Sequence, residues 1–385
     1  MLYLPLGGEN DRFGFLPGEI EYESGKITRV TVLSETGLSA GERDTFILPG
    51  LVDIHLHGCM GVDFCNCTPK DLSVLKKMCA YEASCGVTSI CPTTMTYDEE
   101  RLADIMRAAG DYTRSDAESP GQAASRVIGV HLEGPFISYE KRGAQNPDYI
   151  MKPDPAMIRR LQEASGGLVR LVAIAPETEG AIDCIREFRE RNGCHDPAIR
   201  FSIAHTTANY ETASAAIRAG AKHVTHLYNA MPPFLNRAPG VIGAACDDAD
   251  TYVELIGDGQ HVQSPVIRAT FKMFGPKRIV LISDSMEATG MPDGDYALGG
   301  QKVIKQGNRA VLGDGTLAGS VTNLFACMKS VISMGIPMED AIRCATINPA
   351  RSIGAEPLVG SLEVGKYADL LVCDRELNLK QVIRN

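Results

Sequence analysis

Short apolar runs rich in β-branched residues recur through the middle of the chain, and most of them end in a polar residue. Segments with apolar residues at helical spacing separate most of these runs, for example those starting at Pro69 and Asp98. Alternation of buried strands with amphipathic helices is typical of a parallel α/β sheet. Eight strands are predicted, the number that closes a TIM-type (β/α)8 barrel. They are FILPGLVDIHLHG from Phe46, GVTSICPTTMT from Gly86, VIGVHLEGPF from Val127, LVRLVAIAPE from Leu168, IRFSIAH from Ile199, AKHVTHLYNAM from Ala221, YVELIGDGQHV from Tyr252 and RIVLISDSM from Arg278.

The two ends of the chain have a different pattern. EIEYESGKITRVTVL near the start and LVGSLEVGKYADLLVCD near the end each read as strand, turn, strand, with no helix between. We therefore predict a small β-sandwich domain from residues 1–46 and 355–385, beside a barrel domain over 47–354. A Gly-rich stretch with alternating polarity, residues 294–315, is predicted to form a hairpin after the eighth strand.

Composition narrows the class of protein. The 385 residues are 44% hydrophobic and 22% charged, which is typical of a folded globular protein. The net charge of −10 and the absence of Lys/Arg-rich runs argue against nucleic acid as a partner. No apolar stretch approaches the roughly 18 residues of a membrane span, and the start lacks a secretion signal, so we expect no membrane partner and a cytoplasmic protein. The twelve cysteines are expected to be reduced thiols.

Residue types that bind metals lie at the carboxyl ends of the predicted strands, where TIM barrels carry their chemistry. His55 and His57 share one face of the first strand because they are two residues apart. Other strands end in a carboxylate or an imidazole, and together these groups can bind zinc, iron or a related divalent ion. The strand-end residues are Glu133, His205, His226 and Asp284. By contrast, His195 and His223 are read as packing residues, with His223 facing the helix layer.

Seven motifs carry a resemblance to a known family. They are PGLVDIHLHG, HLEGPF, AHT, THLYNAM, DGQHV, SDSMEATG and LAGS, in this order along most of the chain. In these motifs the sequence resembles the N-acetylglucosamine-6-phosphate deacetylase family of the amidohydrolase superfamily. The resemblance implies the barrel with a β-sandwich, a homodimer, and a small phosphosugar as substrate.

The resemblance also implies roles for the strand-end residues. Glu133, His205 and His226 become ligands of an essential divalent ion, zinc or iron. Asp284 becomes the general base, which takes a proton from the attacking water and returns it to the leaving amine. Some members lack the histidine pair of the first strand. Because this sequence keeps His55 and His57, they can hold a second ion with Glu133 as a bridging ligand.

For the substrate, the resemblance implies contacts from several loops. Arg237 and His261 are the phosphate candidates, since Arg offers a planar fork of donors that matches phosphate oxygens. Arg237 can serve either its own or the partner subunit's site. Gln145 stands where some members carry a histidine, which leaves open how the substrate carbonyl is polarised. The remaining predicted pocket residues are Ala144, Asn229, Ala230, Leu317, Ala318 and Gly319.

Two other functions remain open at this stage. A cyclic amide hydrolase of the dihydroorotase type shares the H-x-H start and the final aspartate, although it lacks HLEGPF. A catalytically inactive amidohydrolase fold used for assembly is the other alternative, because a fold does not fix a function. Such a protein is expected to have lost metal ligands, and this chain keeps all of them.

Overall fold

The computed structural model describes residues 1–7, 11–34, 39–118, 124–191 and 199–384. His195 lies outside these ranges. The strands are β1 (Leu2–Gly7), β2 (Arg12–Leu16), β3 (Gly18–Glu23), β4 (Lys26–Val32), β5 (Thr45–Pro49), β6 (Leu51–Leu56), β7 (Gly58–Cys59), β8 (Val62–Asp63), β9 (Val87–Thr94), β10 (Arg126–Val127), β11 (Val130–Leu132), β12 (Val169–Ile174), β13 (Arg200–Ile203), β14 (His223–Val224), β15 (Tyr252–Ile256), β16 (Ile279–Ile282), β17 (Gly294–Leu298), β18 (Gln301–Gln306), β19 (Arg309–Leu312), β20 (Leu370–Asp374) and β21 (Leu379–Ile383).

Helices follow most of the strands in the middle of the chain. They are α1 (Ala40–Asp44), α2 (Ser73–Ser84), α3 (Glu99–Glu118), α4 (Pro155–Ala164), α5 (Ala181–Arg191), α6 (Tyr210–Ala219), α7 (Gly240–Asp247), α8 (Ser264–Phe274), α9 (Leu324–Ser333), α10 (Met338–Ala345) and α11 (Ile347–Ser352). Within the described ranges, none of them has both the length and the apolar character that a membrane span requires.

Eight of the described strands form the predicted barrel. In order they are β6, β9, β11, β12, β13, β14, β15 and β16, and each pairs in parallel with the next. The ring closes between β16 and β6, where the Asp284 N–H donates to the His55 carbonyl at 2.9 Å and the His57 N–H donates to the Ser285 carbonyl at 2.7 Å. The TIM-type fold is thus confirmed.

Apolar side chains fill the lower part of the barrel. Val52 and Ile54 from β6 belong to one buried cluster with Leu171 from β12 and Ile256 from β15. Residues from opposite sides of a barrel can only join one cluster inside it, so these side chains form its packed interior. Ala350 of α11 belongs to the same cluster. The opposite end of the barrel, at the carboxyl ends of the strands, contains polar side chains instead.

Both chain ends contribute to a separate sheet, ordered β2, β1, β5, β20, β21. The β3–β4 hairpin packs against this sheet through a cluster that includes Leu2, Ile27 and Leu370. The first predicted barrel strand divides in two, because β5 pairs with β20 as far as Pro49 and only β6 enters the barrel. Gly50 separates the two strands at a point where a Cβ atom would lie 2.0 Å from the Thr88 hydroxyl oxygen, so only glycine fits there. The sequence stays hydrophobic from β5 through Gly50 into β6. This continuity explains why the sequence pattern predicts a single strand here.

The stretch after the eighth strand is a three-stranded antiparallel meander, β17, β18 and β19, rather than a hairpin. The Gln301 side-chain amide donates to the Ala144 carbonyl at 2.6 Å, which ties the meander to the loop after β11. The cysteines of the described residues are free thiols, and Cys59, Cys65 and Cys67 are buried in the main core.

Candidate active site

The predicted ligand residues converge at the carboxyl end of the barrel. His205, His226 and Asp284 each lie two residues after the end of a strand, and each has a positive φ, of 42°, 28° and 50° respectively. This left-handed conformation is uncommon for residues other than glycine. The chain therefore turns sharply at the same offset on three strands. All six side chains are at least nine-tenths buried: His55, His57, Glu133, His205, His226 and Asp284.

One cluster contains Glu133, His205 and His226. The Glu133 Oε1 atom lies 3.2 Å from His205 Nε2 and 3.0 Å from His226 Nε2, and the two Nε2 atoms are 3.2 Å apart. Bonds of about 2.1 Å in tetrahedral geometry place ligand atoms about 3.4 Å from one another. The spacing of these three atoms thus matches one coordination shell.

A second cluster contains His55, His57 and Asp284. The Asp284 Oδ1 atom lies 3.6 Å from His55 Nε2 and 3.3 Å from His57 Nε2. Glu133 reaches this cluster as well, with Oε1 at 3.5 Å from His55 Nε2 and Oε2 at 3.3 Å from His57 Nε2. The structure therefore places Glu133 between the two clusters, and Asp284 beside the first-strand histidines.

The second ring nitrogen of three histidines has a fixed partner. His55 Nδ1 contacts Glu254 Oε2 at 2.9 Å, His57 Nδ1 contacts the Thr93 carbonyl at 3.2 Å, and His205 Nδ1 contacts the Lys141 carbonyl at 2.8 Å. A carbonyl or carboxylate oxygen can only accept, so each Nδ1 carries the hydrogen. When the ring is neutral, its Nε2 atom carries no hydrogen. Each Nε2 atom then has a lone pair that points into its cluster and can bind a metal ion.

The electrostatics favour ionised carboxylates. Although burial opposes it, the His55 and His57 rings hold the pKa of Asp284 at about 2. Burial likewise opposes ionisation of Glu133, but His55, His205 and His226 hold its pKa well below the usual value. For His57, burial is outweighed by Asp284 and Glu133, which raise its pKa to about 9. The two ionised carboxylates therefore favour positive charge at this site, either a proton on His57 or a metal ion in its place.

These groups fit a divalent metal ion. His55 Nε2 is buried without a hydrogen-bond partner among the described residues, although it points between two carboxylates. Imidazole nitrogen with carboxylate oxygen is a donor set suited to zinc or iron. Glu133, His205 and His226 would hold one ion, and His55, His57 and Asp284 supply donor atoms next to it.

A cavity of about 660 Å³ opens above the clusters. Its lining includes most of the predicted substrate residues, namely Ala144, Gln145, Asn229, Ala230, His261, Leu317 and Gly319. Ala318 is fully buried beside this lining, and its N–H donates to the Ala310 carbonyl at 3.1 Å. The prediction that Ala318 lines the pocket was therefore wrong in detail, because its side chain points into the core.

Arg237 does not line this cavity. It is exposed, and it lines a separate surface depression with Asn209 and Pro232 rather than the cavity of its own chain. A phosphate role within its own chain, one of the two options for this residue, does not agree with that position. The exposed apolar side chains of Phe234 and Leu235 precede it in the same loop.

Gln145 lines the cavity, but its side-chain amide is bonded to the candidate metal ligand Glu133. Its Nε2 donates to Glu133 Oε2 at 2.8 Å, and its Oε1 accepts from the Thr96 N–H at 2.7 Å. Only 1% of the residue is exposed. The amide is thus bonded at both ends, to Glu133 and to Thr96, which leaves little capacity for a substrate carbonyl.

Two polar residues in the cavity lining, Asn229 and His261, are held by neighbours. The Asn229 amide donates to the His226 carbonyl at 3.1 Å. His261 Nδ1 lies 2.8 Å from Asp258 Oδ2, and although burial opposes it, Asp258 raises the pKa of His261. A protonated His261 is suited to an anionic group in the cavity.

The orientation of the His223 side chain differs from the prediction that it faces the helix layer. It faces the barrel interior, with Nδ1 at 3.1 Å from the Ser202 hydroxyl and 3.8 Å from Glu254 Oε1. The prediction assumed a continuous strand from His223 to His226. Because β14 ends at Val224 and His226 has a positive φ, the alternation of faces is broken between the two histidines.

Sequence reasoning missed Glu254 and His131, which form a third buried group with His55. A signal for both was present. Glu254 stands inside the otherwise apolar strand YVELI, and His131 is two residues before Glu133 and so shares its face. It also missed three cations that line the cavity, because their positions depend on how the segment after β11 and the β17–β19 meander fold over the barrel: Lys141, Arg142 and Arg309.

Comparisons with known proteins agree with this geometry. A model of the amidohydrolase family matches residues 46–385. The N-acetylglucosamine-6-phosphate deacetylase of Bacillus subtilis is 36% identical over 330 residues, covering 86% of this chain and 81% of its own. The N-acetylgalactosamine-6-phosphate deacetylase of Escherichia coli is 34% identical over 355 residues, covering 92% of this chain and 90% of its own. A crystal structure of N-acetyl-D-glucosamine-6-phosphate deacetylase from Mycobacterium smegmatis matches with a TM-score of 0.83 and 33% identity, over 95% of this chain and 94% of that one.

Proposed function

Because the chain belongs to the amidohydrolase family, and within it to the N-acetylglucosamine-6-phosphate deacetylases, we propose that it hydrolyses N-acetyl-D-glucosamine 6-phosphate to D-glucosamine 6-phosphate and acetate. The observation that carries this proposal is that two candidate ligand clusters, one of which includes Asp284, lie together at the base of one cavity.

Glu133, His205 and His226 would hold the divalent ion. When bound, such an ion polarises a carbonyl and makes water a better nucleophile at neutral pH. Gln145 supports this site by fixing one Glu133 oxygen, so that the other faces His205 and His226.

Asp284 moves the proton. Its carboxylate is ionised and lies at the cavity floor, so it can accept a proton from the attacking water. The same carboxyl group then returns that proton to the amine nitrogen as the C–N bond breaks. One residue thereby serves as base and as acid, and the products are a free amine and acetate.

Residues in the loops after the barrel strands would orient the substrate. His261 offers positive charge to the sugar phosphate, while Asn229 and the backbone of Ala230 and Gly319 line the sugar side. Leu317 also lines this wall, and buried Ala318 packs behind it.

The identity and number of ions are part of the proposal. Zinc and iron both suit the donor set. His55 and His57 would hold a second ion together with Glu133, and the 3.3 Å distance from His57 Nε2 to Asp284 Oδ1 supports Asp284 as a further residue that would hold it.

We also propose a cytoplasmic homodimer in which Arg237 serves the partner's phosphate site. Two features support this: Arg237 is exposed outside its own cavity, and exposed Phe234 and Leu235 accompany it in the same loop. An exposed pair of large apolar side chains next to a cation is well suited to a subunit contact.

The C4 epimer of the sugar is a second candidate substrate, since one relative is an N-acetylgalactosamine-6-phosphate deacetylase. The cyclic amide hydrolase alternative is not favoured, because the relatives with over 30% identity described above are deacetylases. The inactive-fold alternative is opposed by the convergence of complete ligand clusters.

Acetate release tests the proposal. Purified protein is assayed with N-acetylglucosamine 6-phosphate, its galacto epimer and unphosphorylated N-acetylglucosamine, before and after chelation and after reloading with zinc or iron. We expect rapid acetate release from a phosphorylated sugar, loss on chelation, and recovery on reloading. Failure of metal-loaded protein to release acetate from either phosphosugar would contradict it.

A further inference from the structure

One buried carboxylate contacts both ligand clusters and has no part in the reaction described above. Glu254 lies on β15 and is 0% exposed. Its Oε2 atom accepts from His55 Nδ1 at 2.9 Å and from the backbone N–H of His226 at 3.1 Å. A single oxygen therefore holds one ligand residue of each cluster.

Glu254 commits His55 to one orientation. The carboxylate accepts the Nδ1 hydrogen, so Nε2 of the neutral ring is left as the donor atom. That Nε2 atom faces Glu133 Oε1 at 3.5 Å and Asp284 Oδ1 at 3.6 Å. Of the three rings with a fixed Nδ1 partner, His55 alone has a carboxylate, since His57 and His205 donate to backbone carbonyls.

Glu254 also fixes the turn that carries His226. The His226 N–H donates to the Glu254 side chain. The next N–H, from Leu227, donates to the Glu254 backbone carbonyl at 2.9 Å. His226 has a φ of 28°, and its own Nδ1 atom has no partner among the described residues. Its ring is thus positioned through the backbone, and Glu254 provides two of the bonds that hold this backbone.

We propose that Glu254 is a shared positioning residue that prepares both clusters for metal, with its charge acting on the His55 site and its hydrogen bond acting on the His226 site. This rests on the metal-dependent function proposed above. An anionic partner on the outer nitrogen makes an imidazole a stronger ligand, and loss of such partners typically lowers metal affinity 10- to 100-fold. The two sites should therefore respond differently to loss of charge and to loss of the side chain.

Two variants separate these effects. Glu254→Gln keeps an oxygen that can accept from both donors but removes the charge, whereas Glu254→Ala removes both hydrogen bonds. Ser202→Ala is the matched control, because the Ser202 hydroxyl lies in the same buried region, 3.1 Å from His223 Nδ1, and contacts none of the ligands. Circular dichroism checks that each variant folds.

Metal-free protein is titrated with zinc alone and, separately, with cobalt, whose absorption bands report the ligand environment of each site. No substrate is needed, so a failure of wild-type protein to release acetate would refute the proposed function without affecting this result. We expect wild type and Ser202→Ala to bind two ions alike. Glu254→Gln should weaken one ion 10- to 100-fold and leave the other unchanged, and Glu254→Ala should weaken both.

Three outcomes would overturn the inference. Wild-type affinities in both Glu254 variants would remove its positioning role. Equal weakening in Ser202→Ala would show general loosening of the core instead. Binding of one ion per wild-type chain would leave no second site for Glu254 to prepare.

Discussion

At the floor of the cavity the charged side chains are buried and each contacts another charged or polar group, whereas at its mouth they are exposed or half-buried and sparsely paired. Glu133 alone lies within 3.5 Å of four imidazoles. At the mouth, the Arg309 side chain forms no hydrogen bond or ion pair with another side chain among the described residues, although its backbone pairs within the meander. The floor is preorganised for chemistry before substrate arrives, and the sparse pairing at the mouth agrees with the proposal that the substrate and a second subunit complete it.

The largest expected effect lies at the floor. His205→Ala removes one of the three atoms that match a coordination shell, so we expect loss of the essential ion and of detectable activity. A double His55→Gln, His57→Asn variant should keep an appreciable part of the activity, because the Glu133, His205 and His226 cluster stays intact. Metal content and acetate release are measured on both, and the reverse ranking would show that the first-strand cluster is the primary site.

Asp284→Asn tests proton transfer at the same place. An amide neither takes up nor returns the proton, and positioned acid–base groups contribute about 10² to 10⁴-fold, so turnover should fall by roughly 10³-fold. The asparagine retains an oxygen 3.3 to 3.6 Å from the first-strand rings, so metal content should remain near normal. Near-normal turnover with confirmed metal content would exclude Asp284 from the mechanism.

The contrast between floor and mouth also explains which parts were predictable. Strand periodicity fixes the side of the strand on which His55, His57 and Glu133 lie, and parallel strands place their ends together, so the clusters followed from sequence. Glu254 was overlooked because a single carboxylate in an apolar strand resembles no motif. The role of Arg309 could not be predicted from the sequence, since its position depends on how the meander folds over the barrel.

Arg237→Ala tests whether Arg237 contacts the substrate phosphate. Charge-assisted bonds to phosphate are roughly twice as strong as neutral ones, and loss of one at a desolvated anion costs about 2 to 5 kcal/mol. We expect kcat/KM for the phosphosugar to fall about 100-fold, with little change for unphosphorylated N-acetylglucosamine. Equal loss on both sugars would rule out a phosphate contact.

Mixing of variant subunits identifies the chain that Arg237 serves. If it acts across the interface, mixed dimers of Arg237→Ala with Asp284→Asn should regain activity, because the chain with intact Asp284 receives the arginine of its partner. No recovery is expected if the arginine acts within its own chain. Different affinity tags on the two variants, with purification through both tags in turn, isolate the mixed dimers for this assay.

The smallest expected effect concerns Arg309, a cation that the chain itself places at the mouth. It is exposed on β19 and lines the cavity together with His261. Exposed charge pairs contribute up to about 1 kcal/mol, so Arg309→Ala should lower kcat/KM for the phosphosugar about fivefold and leave the unphosphorylated sugar unaffected. Lys302→Ala is the matched control on the same meander, because Lys302 pairs with Asp295 at 2.6 Å. Since salt screens exposed charges, the difference should shrink as ionic strength rises toward 1 M, where the screening length is about 3 Å. A fivefold effect that persists at high salt, or an equal effect in Lys302→Ala, would mean that Arg309 acts through the fold of the meander and not through its charge.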